Sequence, residues 1–443
     1  MPKAVAVDLG ATSGRFAEGE LTEGRITFRV VEQAPHSPIE IDGRLSWDLD
    51  ALRGFVRRGA IHASMLGRAT LGIDAWGVDI GLLDDRGELI LPPVAYRDLS
   101  HERAFERLKE HRPELYRLTG CQHQPFNTLY QLAARASEDP SLPDRTARWL
   151  PLPDLLAYLE TGEANVDLTE ASTTNLLALD KSWCPRAFQI AGWPVPSLSV
   201  SAPGHLGGYV SEGVRIAFVG SHDTASAVVG LEPFGADEMF LNVGTWSLAG
   251  VVRDEPIASP EAEAANLTNE RCADGRVRLL KNVAGFWVVN GLHRDLDIKT
   301  TVAEWLASAG EPSTTLDLDH ASLFNPPSML EACRALLPSE PENWATVALH
   351  SLVASLADTP ATFGRVTGIR PRAIRIGGGG SQSAPLCHAL AQRSGLPVYA
   401  GTPEATVLGN LAVQFLAQRA LASWEELREV VAASSSVREF LPC

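Results

Sequence analysis

"VAVDLGATSGR", residues 5–15, decides how this chain is read. Small apolar residues alternate up to Asp8, and Gly10, Ala11, Thr12, Ser13, Gly14 and Arg15 follow. The alternating run predicts a strand. The turn after it carries few side chains, so its backbone can approach a ligand closely. Thr12 and Ser13 add hydroxyl donors, and successive N–H groups in such a turn form an anion-binding nest. Asp8 would repel phosphate directly, but it can orient a hydrated Mg²⁺, an ion that keeps its waters and takes few carboxylates. The same residues also fit an ordinary β-turn beside a helix-capping aspartate.

Two further turns repeat the design. "LNVGTWSL" (241–248) sets Gly244 and Thr245 after a strand, and "IRIGGGGSQS" (374–383) sets four glycines after another. A backbone so bare costs stability, and it makes sense where a flat group such as adenosine lies against it. A flexible loop is the alternative reading of the glycine run. Two familiar nucleotide motifs are absent. A P-loop needs lysine after glycine, and no lysine of this chain follows one. A Rossmann fingerprint starting at Gly377 or Gly378 would need a third glycine where Gln382 or Ser383 stands.

Bulk composition sets the class. At 443 residues about two to three domains are expected. The formal charge of −16 argues against a general nucleic-acid binder, which needs clustered Lys and Arg. An anionic small ligand stays compatible with it, because a local site can be positive within an acidic protein. The cysteines at 121, 184, 272, 333, 387 and 443 form no close pair, so no zinc ribbon or redox motif is written locally, and reduced thiols are expected. No charged and apolar leader precedes the first strand, and no run of about 18 apolar residues occurs. A cytoplasmic location without membrane association is expected.

Strands are expected over Ala4–Val7, Leu71–Ile73, Val78–Leu83, Arg215–Val219, Met239–Val243, Ala373–Ile376 and Pro397–Ala400. Helical spacing over 48–66, with Asp48 or Asp50 to cap, predicts a helix. Another follows Thr402, with Pro403 at its first position and Leu408, Leu411, Ala412, Phe415 and Leu416 on one stripe. Mixed elements over this length imply an α/β architecture. The Pro/Gly-rich stretch 193–210 approaches a domain boundary, placed here between 1–216 and 217–443. The strand-and-turn of 4–14 recurs at 239–247, so the two halves are expected to be similar folds that offer turns to one ligand.

"AFVGSHDTASAVVG" (217–230) is a strand that ends in Ser-His-Asp-Thr before a small-residue helix. Asp223 stands where a cleft would open in an α/β sheet. It can accept a substrate hydroxyl proton as the alcohol attacks phosphorus, with His222 on the same substrate; in phosphoryl transfer such a base mainly orients the hydroxyl. Its competing role is helix N-cap. In the run 72–98, Asp74 and Asp79 flank Trp76-Gly77, an arrangement suited to a sugar's apolar face and hydroxyls. The alternative there is a hairpin turning at Asp85-Arg86-Gly87 around a buried Trp.

Taken together, "AVDLGATSGR", "WDLD", the run 72–98, "LYRLTGCQHQPFNTLYQL", "LPDLLAYLETG", "ASTTNLL", "SHDTASAV", "GTWSL", "KNVAGFW" and "EATVLGN" resemble the FGGY family of carbohydrate kinases nearly end to end. Residues 126–132 and 221–227 resemble the branch of that family that acts on L-rhamnulose. The resemblance implies two actin-like (RNase H-like) ATPase domains with a cleft between them. It implies transfer of the ATP γ-phosphoryl group, with Mg²⁺, to the C1 hydroxyl of L-rhamnulose in rhamnose breakdown. Asp223 matches the catalytic base, and Gly77, His222, Asp223, Thr224 and Asn282 match ketose-binding positions. Ala11, Thr12, Ser13, Gly14 and Arg15 would meet ATP phosphates, with Thr245, Asn290, Gly379 and Gly380 completing the nucleotide contacts; Asp8 would hold Mg²⁺ through water.

The chain departs from the family pattern in three places. Arg271-Cys272 replaces two glycines, Asn290 replaces glutamine, and Asn242-Val243 replaces two serines. These changes bear on substrate identity and leave phosphoryl transfer intact. L-Fuculose or L-xylulose is the alternative substrate, and a non-catalytic actin-like nucleotide sensor is the alternative class. The sequence leaves the oligomeric state open.

Overall fold

The computed structural model describes residues 1–443 apart from Pro233, Thr245, Trp246, Ala284, Pro312, Ser313, Phe324 and Asn325. The chain forms two compact units, residues 1–233, 253–279 and 406–434 in the first, and 234–252, 280–405 and 435–443 in the second.

The first unit is built on a six-stranded sheet in the order Arg25–Pro35, Ser13–Thr22, Lys3–Leu9, Ala69–Ala75, Val214–Phe218, His205–Ser211. Lys3–Leu9 pairs antiparallel with Ser13–Thr22 and parallel with Ala69–Ala75. Both faces of the central strands are covered, which is why they read as continuous apolar runs. Val5, Val7 and Leu9 pack with Leu52, Phe55 and Val56 of the helix Leu49–Met65. Asp48 caps that helix by accepting from the Ala51 N–H, as its spacing predicts. The alternate residues Ala4 and Ala6 pack with Val407, Leu408, Leu411 and Phe415 of the helix Ala405–Ala417. Each large side chain fully buried in these layers contributes roughly 1.5–3 kcal/mol.

The second unit repeats the pairing scheme. Glu238–Val243 is antiparallel to Ser247–Arg253 and parallel to Ala373–Gly377. Ala373–Gly377 is in turn parallel to Val398–Ala400, which is antiparallel to Arg438–Phe440. In each unit a hairpin is followed by two parallel strands and an antiparallel edge. The strand-and-turn repetition seen in the sequence is the trace of this shared plan.

Some boundaries differ from expectation. The strand expected from Val78 begins at Ile80, because Val78 takes a left-handed backbone with φ 75°. The helix expected after Thr402 begins at Ala405 rather than Pro403, and Thr402 accepts from the Glu404 N–H ahead of it. The expected turn near Asp85 is present, closed by Asp84 N–H to Glu88 O and Gly87 N–H to Asp84 O. All six cysteines are unpaired, and five are buried. Among the described residues no helix is long and apolar enough to cross a membrane.

Candidate active site

The opening stretch forms a tight hairpin. Gly10 N–H donates to Ser13 O at 3.0 Å, and Leu9 pairs with Gly14. Thr12 is exposed at its tip, with Ala11, Ser13 and Arg15 half-buried. Gly14 is bare for an internal reason, since a Cβ there would lie 2.8 Å from Leu9 Cδ2 and 3.1 Å from Phe55 Cε1. Asp8 stands opposite Arg15 in the hairpin, its Oδ2 3.1 Å from Arg15 Nε. It also stands opposite Asp74 in the parallel pairing, so two carboxylates lie side by side at the ends of neighbouring strands.

Asp74 is fully buried. Its Oδ2 accepts from Asn410 Nδ2 at 2.5 Å, while its Oδ1 has no partner. Burial raises its carboxyl well above the ordinary range; the charge of Asp8 and then that of Asp223 add to this, against the Asn410 hydrogen bond. Asn410 belongs to an amide ladder on its helix. Gln414 Nε2 donates to Asn410 Oδ1 and to Val5 O, Thr70 donates to Gln414 Oε1, and Gln418 donates to Lys3 O. Gly72 leaves room for it, because a Cβ there would sit 2.5 Å from Asn410 Oδ1. The sequence reading found the apolar stripe of this helix and missed the ladder. Amides four residues apart within an otherwise apolar helix were its signal.

Asp223 is the first residue of the helix Asp223–Gly230. His222 occupies the cap position and makes no side-chain cap bond. The capping role that competed for Asp223 is therefore not the one it fills. Ala75 N–H donates to Ser221 O at 2.8 Å, which ties this helix start to the strand that ends in Asp74. Asp223 keeps 27% of its side chain exposed. Burial nevertheless raises its carboxyl, opposed by His222 and by the Thr224 hydroxyl, which donates at 3.1 Å. A carboxylate that is reachable and more basic than usual is suited to accept a proton.

Gly77 sits at the end of the Trp76 turn, where a Cβ would meet Thr173 Oγ1 at 3.0 Å. Its neighbour Val78 is β-branched yet left-handed, a strained conformation of the kind that concentrates at binding sites. Thr128 and Gln131 hold it there by donating to Val78 O at 2.6 and 3.1 Å. Asp79 is spent internally. It accepts from Trp47 Nε1 at 2.6 Å, Trp76 Nε1 at 2.9 Å, Gln131 Nε2 at 3.0 Å and Tyr96 N–H at 3.2 Å. Burial pushes its carboxyl up to about 6 despite these donors. Its work is to lock the two indoles, whose ring centroids lie 4.1 Å apart.

The departure at Arg271-Cys272 is accommodated. Arg271 is buried and donates to Leu179 O and Gly275 O, and Gly275, at φ 83°, takes the turn. Asn269 braces Gly120 and Ile257. Sequence reasoning passed over Glu270 and Arg278, a buried ion pair against His222. Arg278 is flanked by apolar residues in its strand, and that setting was its signal.

In the second unit Asn282 is half-buried on the strand Val277–Val283, and Asn290 is exposed on the helix Gly285–Asp295. Within the glycine run, Cβ atoms at Gly378 and Gly380 would press on Val243 O at 2.9 Å and Val243 Cβ at 2.5 Å. Packing explains those two, whereas Gly379 has nothing nearer than 4.0 Å. Thr245 lies outside the described residues.

Glu170, 1% exposed, carries an unpartnered Oε1. Burial raises its carboxyl well above the ordinary range, with Asp154, Asp167 and Asp223 adding and Arg278 opposing. Such a group gives stability below its unfolded pKa, and that stability is lost as pH rises through the raised folded value. Glu170→Gln is expected to raise the melting temperature more at about pH 8 than at about pH 5. Thermal scans at both pH values check this, and equal shifts would contradict it.

The sequence pattern of the FGGY family of carbohydrate kinases, N-terminal domain, matches residues 4–230, and that of the C-terminal domain matches residues 239–418. A rhamnulokinase of Klebsiella pneumoniae (strain 342) is 34% identical, with 99% of this chain and 94% of the relative covered. One from Yersinia pestis (strain Pestoides F) is 33% identical, with 99% and 95% covered. Xylulose kinase from Lactobacillus acidophilus superposes with a TM-score of 0.79 at 15% identity, covering 100% of this chain and 94% of that one. Plasmodium falciparum glycerol kinase with ADP gives 0.78 at 15% identity with the same coverage. These solved structures establish the fold as the actin-like one of two α/β domains, and with both domain patterns matched the chain belongs to the FGGY family of carbohydrate kinases.

Proposed function

We propose that this sugar kinase transfers the γ-phosphoryl group of ATP to the C1 hydroxyl of L-rhamnulose. The products are L-rhamnulose 1-phosphate and ADP. The observation that carries the chemistry is Asp223, a reachable carboxylate of raised basicity at a helix start, which does no capping. Asp223 takes the hydroxyl proton as the sugar oxygen bonds to the γ-phosphorus, and the bond from that phosphorus to the β–γ bridging oxygen breaks. Orientation of the attacking group lowers the barrier more than proton removal itself. His222, Thr224, Gly77 and Asn282 bind the ketose in this reading. Residues 11–15, Thr245, Asn290, Gly379 and Gly380 meet the nucleotide.

The residues at the strand ends fit a hydrated divalent cation. Asp8 and Asp74 adjoin, and the buried Asp74 Oδ1 lacks a partner. Among the described residues no three His, Cys, Asp or Glu side chains converge as direct ligands. Asp8, at the strand end beside the hairpin turn, would therefore hold Mg²⁺ through its waters. Bound there, the ion supplies charge neutralisation for the phosphates.

The choice of L-rhamnulose rests on relatives named rhamnulokinase, a third identical across 99% of the chain. The test is ADP release with L-rhamnulose, L-fuculose, L-xylulose, D-xylulose and glycerol. The highest kcat/KM is expected with L-rhamnulose. A higher value for another ketose would reassign the substrate, and stimulation by none would favour a nucleotide sensor.

A further inference from the structure

His222 is gripped from behind by two buried charges. The Arg278 side chain is 0% exposed and that of Glu270 is 9% exposed. Glu270 Oε2 accepts from Arg278 Nε at 3.0 Å and from Nη2 at 2.8 Å. The same Nη2 lies 2.5 Å from His222 Nδ1. A guanidinium has five N–H donors and no acceptor, so Nδ1 must be the accepting nitrogen. Glu270 Oε2 itself is 3.5 Å from Nδ1, too far to compete with the guanidinium for that position. A ring that accepts at Nδ1 carries its one proton on Nε2. Nε2 lies 3.4 Å from Asp223 Oδ1.

We propose that Arg278, clamped by Glu270, is a positioning residue that fixes His222 as its Nε2–H tautomer and so aims a donor at the Asp223 carboxylate and the substrate hydroxyl beside it. This rests on the reading of Asp223 as the base. Each member of the set has a defined task. Asp223, an acceptor when ionised, needs a donor facing it; an Nε2 lone pair there would repel it. If Arg278 were removed, Glu270 would draw a proton onto Nδ1 and turn that lone pair toward Asp223, or leave the ring doubly protonated. Burial raises the Glu270 carboxyl, but the Arg278 guanidinium paired with it outweighs this, so Glu270 stays ionised throughout the working range. Thr169 Oγ1 accepts the His222 main-chain N–H at 3.0 Å and so holds the backbone that carries the ring. The logic parallels hydrolase triads, where loss of the correct histidine tautomer costs about 10⁴-fold in turnover.

The test is nitrogen NMR of the full chain labelled at histidine, with the His222 ring identified as the signals missing from His222→Gln. A bare Nδ1 and a protonated Nε2 are expected across the pH range in which the enzyme turns over. An Nδ1–H ring or an imidazolium across that range would overturn the proposal and leave the role of Asp223 standing. That role is tested separately by turnover of Asp223→Asn. Arg278→Gln is expected to change the tautomer and to lower kcat roughly 10- to 100-fold, the loss typical of a removed histidine-orienting partner, with KM for ATP unchanged. Parental kcat in a folded Arg278→Gln protein would also overturn it. If that variant does not fold, the spectrum of the unmodified protein decides alone.

Discussion

Asp223→Asn is expected to lower turnover with L-rhamnulose about 10³-fold while nucleotide affinity stays at the parental value. Asparagine keeps the shape and can still accept the Thr224 hydroxyl's hydrogen bond, but its amide cannot take a proton. Neither Asp8 nor Asp74 can substitute for the lost base: Asp8 is paired with Arg15, and Asp74 is buried with one oxygen held by Asn410. Stability should hold or rise, because the change removes a negative charge that burial disfavours and that Asp74 and Glu170 both feel. Steady-state turnover, nucleotide titration and a melting curve on one preparation check the three parts together. Parental turnover would remove Asp223 from the mechanism. Loss of nucleotide binding alongside turnover would instead make it a binding or structural group.

The pH profile of the unmodified enzyme carries the same argument. The groups facing Asp223 are His222, Thr224 and Arg278, which favour its ionised form, and Asp74 and Glu170, which disfavour it. Burial outweighs the favourable set, so its pKa is raised. A base must be deprotonated to act, so the acidic limb of kcat is expected above the ordinary carboxylate range, with activity falling as pH drops through it.

Much of this was legible in the sequence, for identifiable reasons. Strands buried on both faces write themselves as apolar runs, and Ala4–Val7 and Leu71–Ile73 were found within the longer strands Lys3–Leu9 and Ala69–Ala75. The helix Leu49–Met65 was found from its cap and its spacing. Asp8 and Asp223 stood out as carboxylates at strand ends, whereas Asp74 read as a sugar partner and is buried against Asn410. What stayed hidden depends on partners far away in the chain. Asp79 reads as a sugar ligand until Trp47 is seen to share it with Trp76. Gly14 and Gly380 read as bare for a ligand alone until Leu9, Phe55 and Val243 are found to exclude a side chain there as well. Arg278 draws no functional reading until Glu270 and His222 are placed beside it. A single sequence records that a residue is small or charged, and only the fold says what occupies the space next to it.

The largest effect on stability is expected at Gly409, in the helix Ala405–Ala417. A Cβ there would fall 1.8 Å from Ser226 O, 2.8 Å from Ser226 C and 2.9 Å from Gly230 N. All three are backbone atoms of the helix that begins at Asp223 or its last turn, so no rotamer change relieves the clash and one helix must move away from the other. Gly409→Ala is expected to destabilise the first unit by about 3 kcal/mol, the upper end of what overpacking usually costs. Intrinsic propensity runs the other way, since alanine is the better helix former by roughly 1 kcal/mol. Gly54→Ala isolates that contribution: in the helix Leu49–Met65 its Cβ would meet only Arg58 Nη1 at 3.9 Å, and a gain of about 0.5–1 kcal/mol is expected. Denaturant midpoints of both variants should therefore move in opposite directions. Gly409→Ala should also lose turnover out of proportion to its stability, because the displaced helix carries Asn410, which holds Asp74, and presses on the helix that presents Asp223. A Gly409→Ala protein with parental midpoint and turnover would mean that the two helices are not in this close contact, and the support for Asp223 from behind would have to be sought elsewhere.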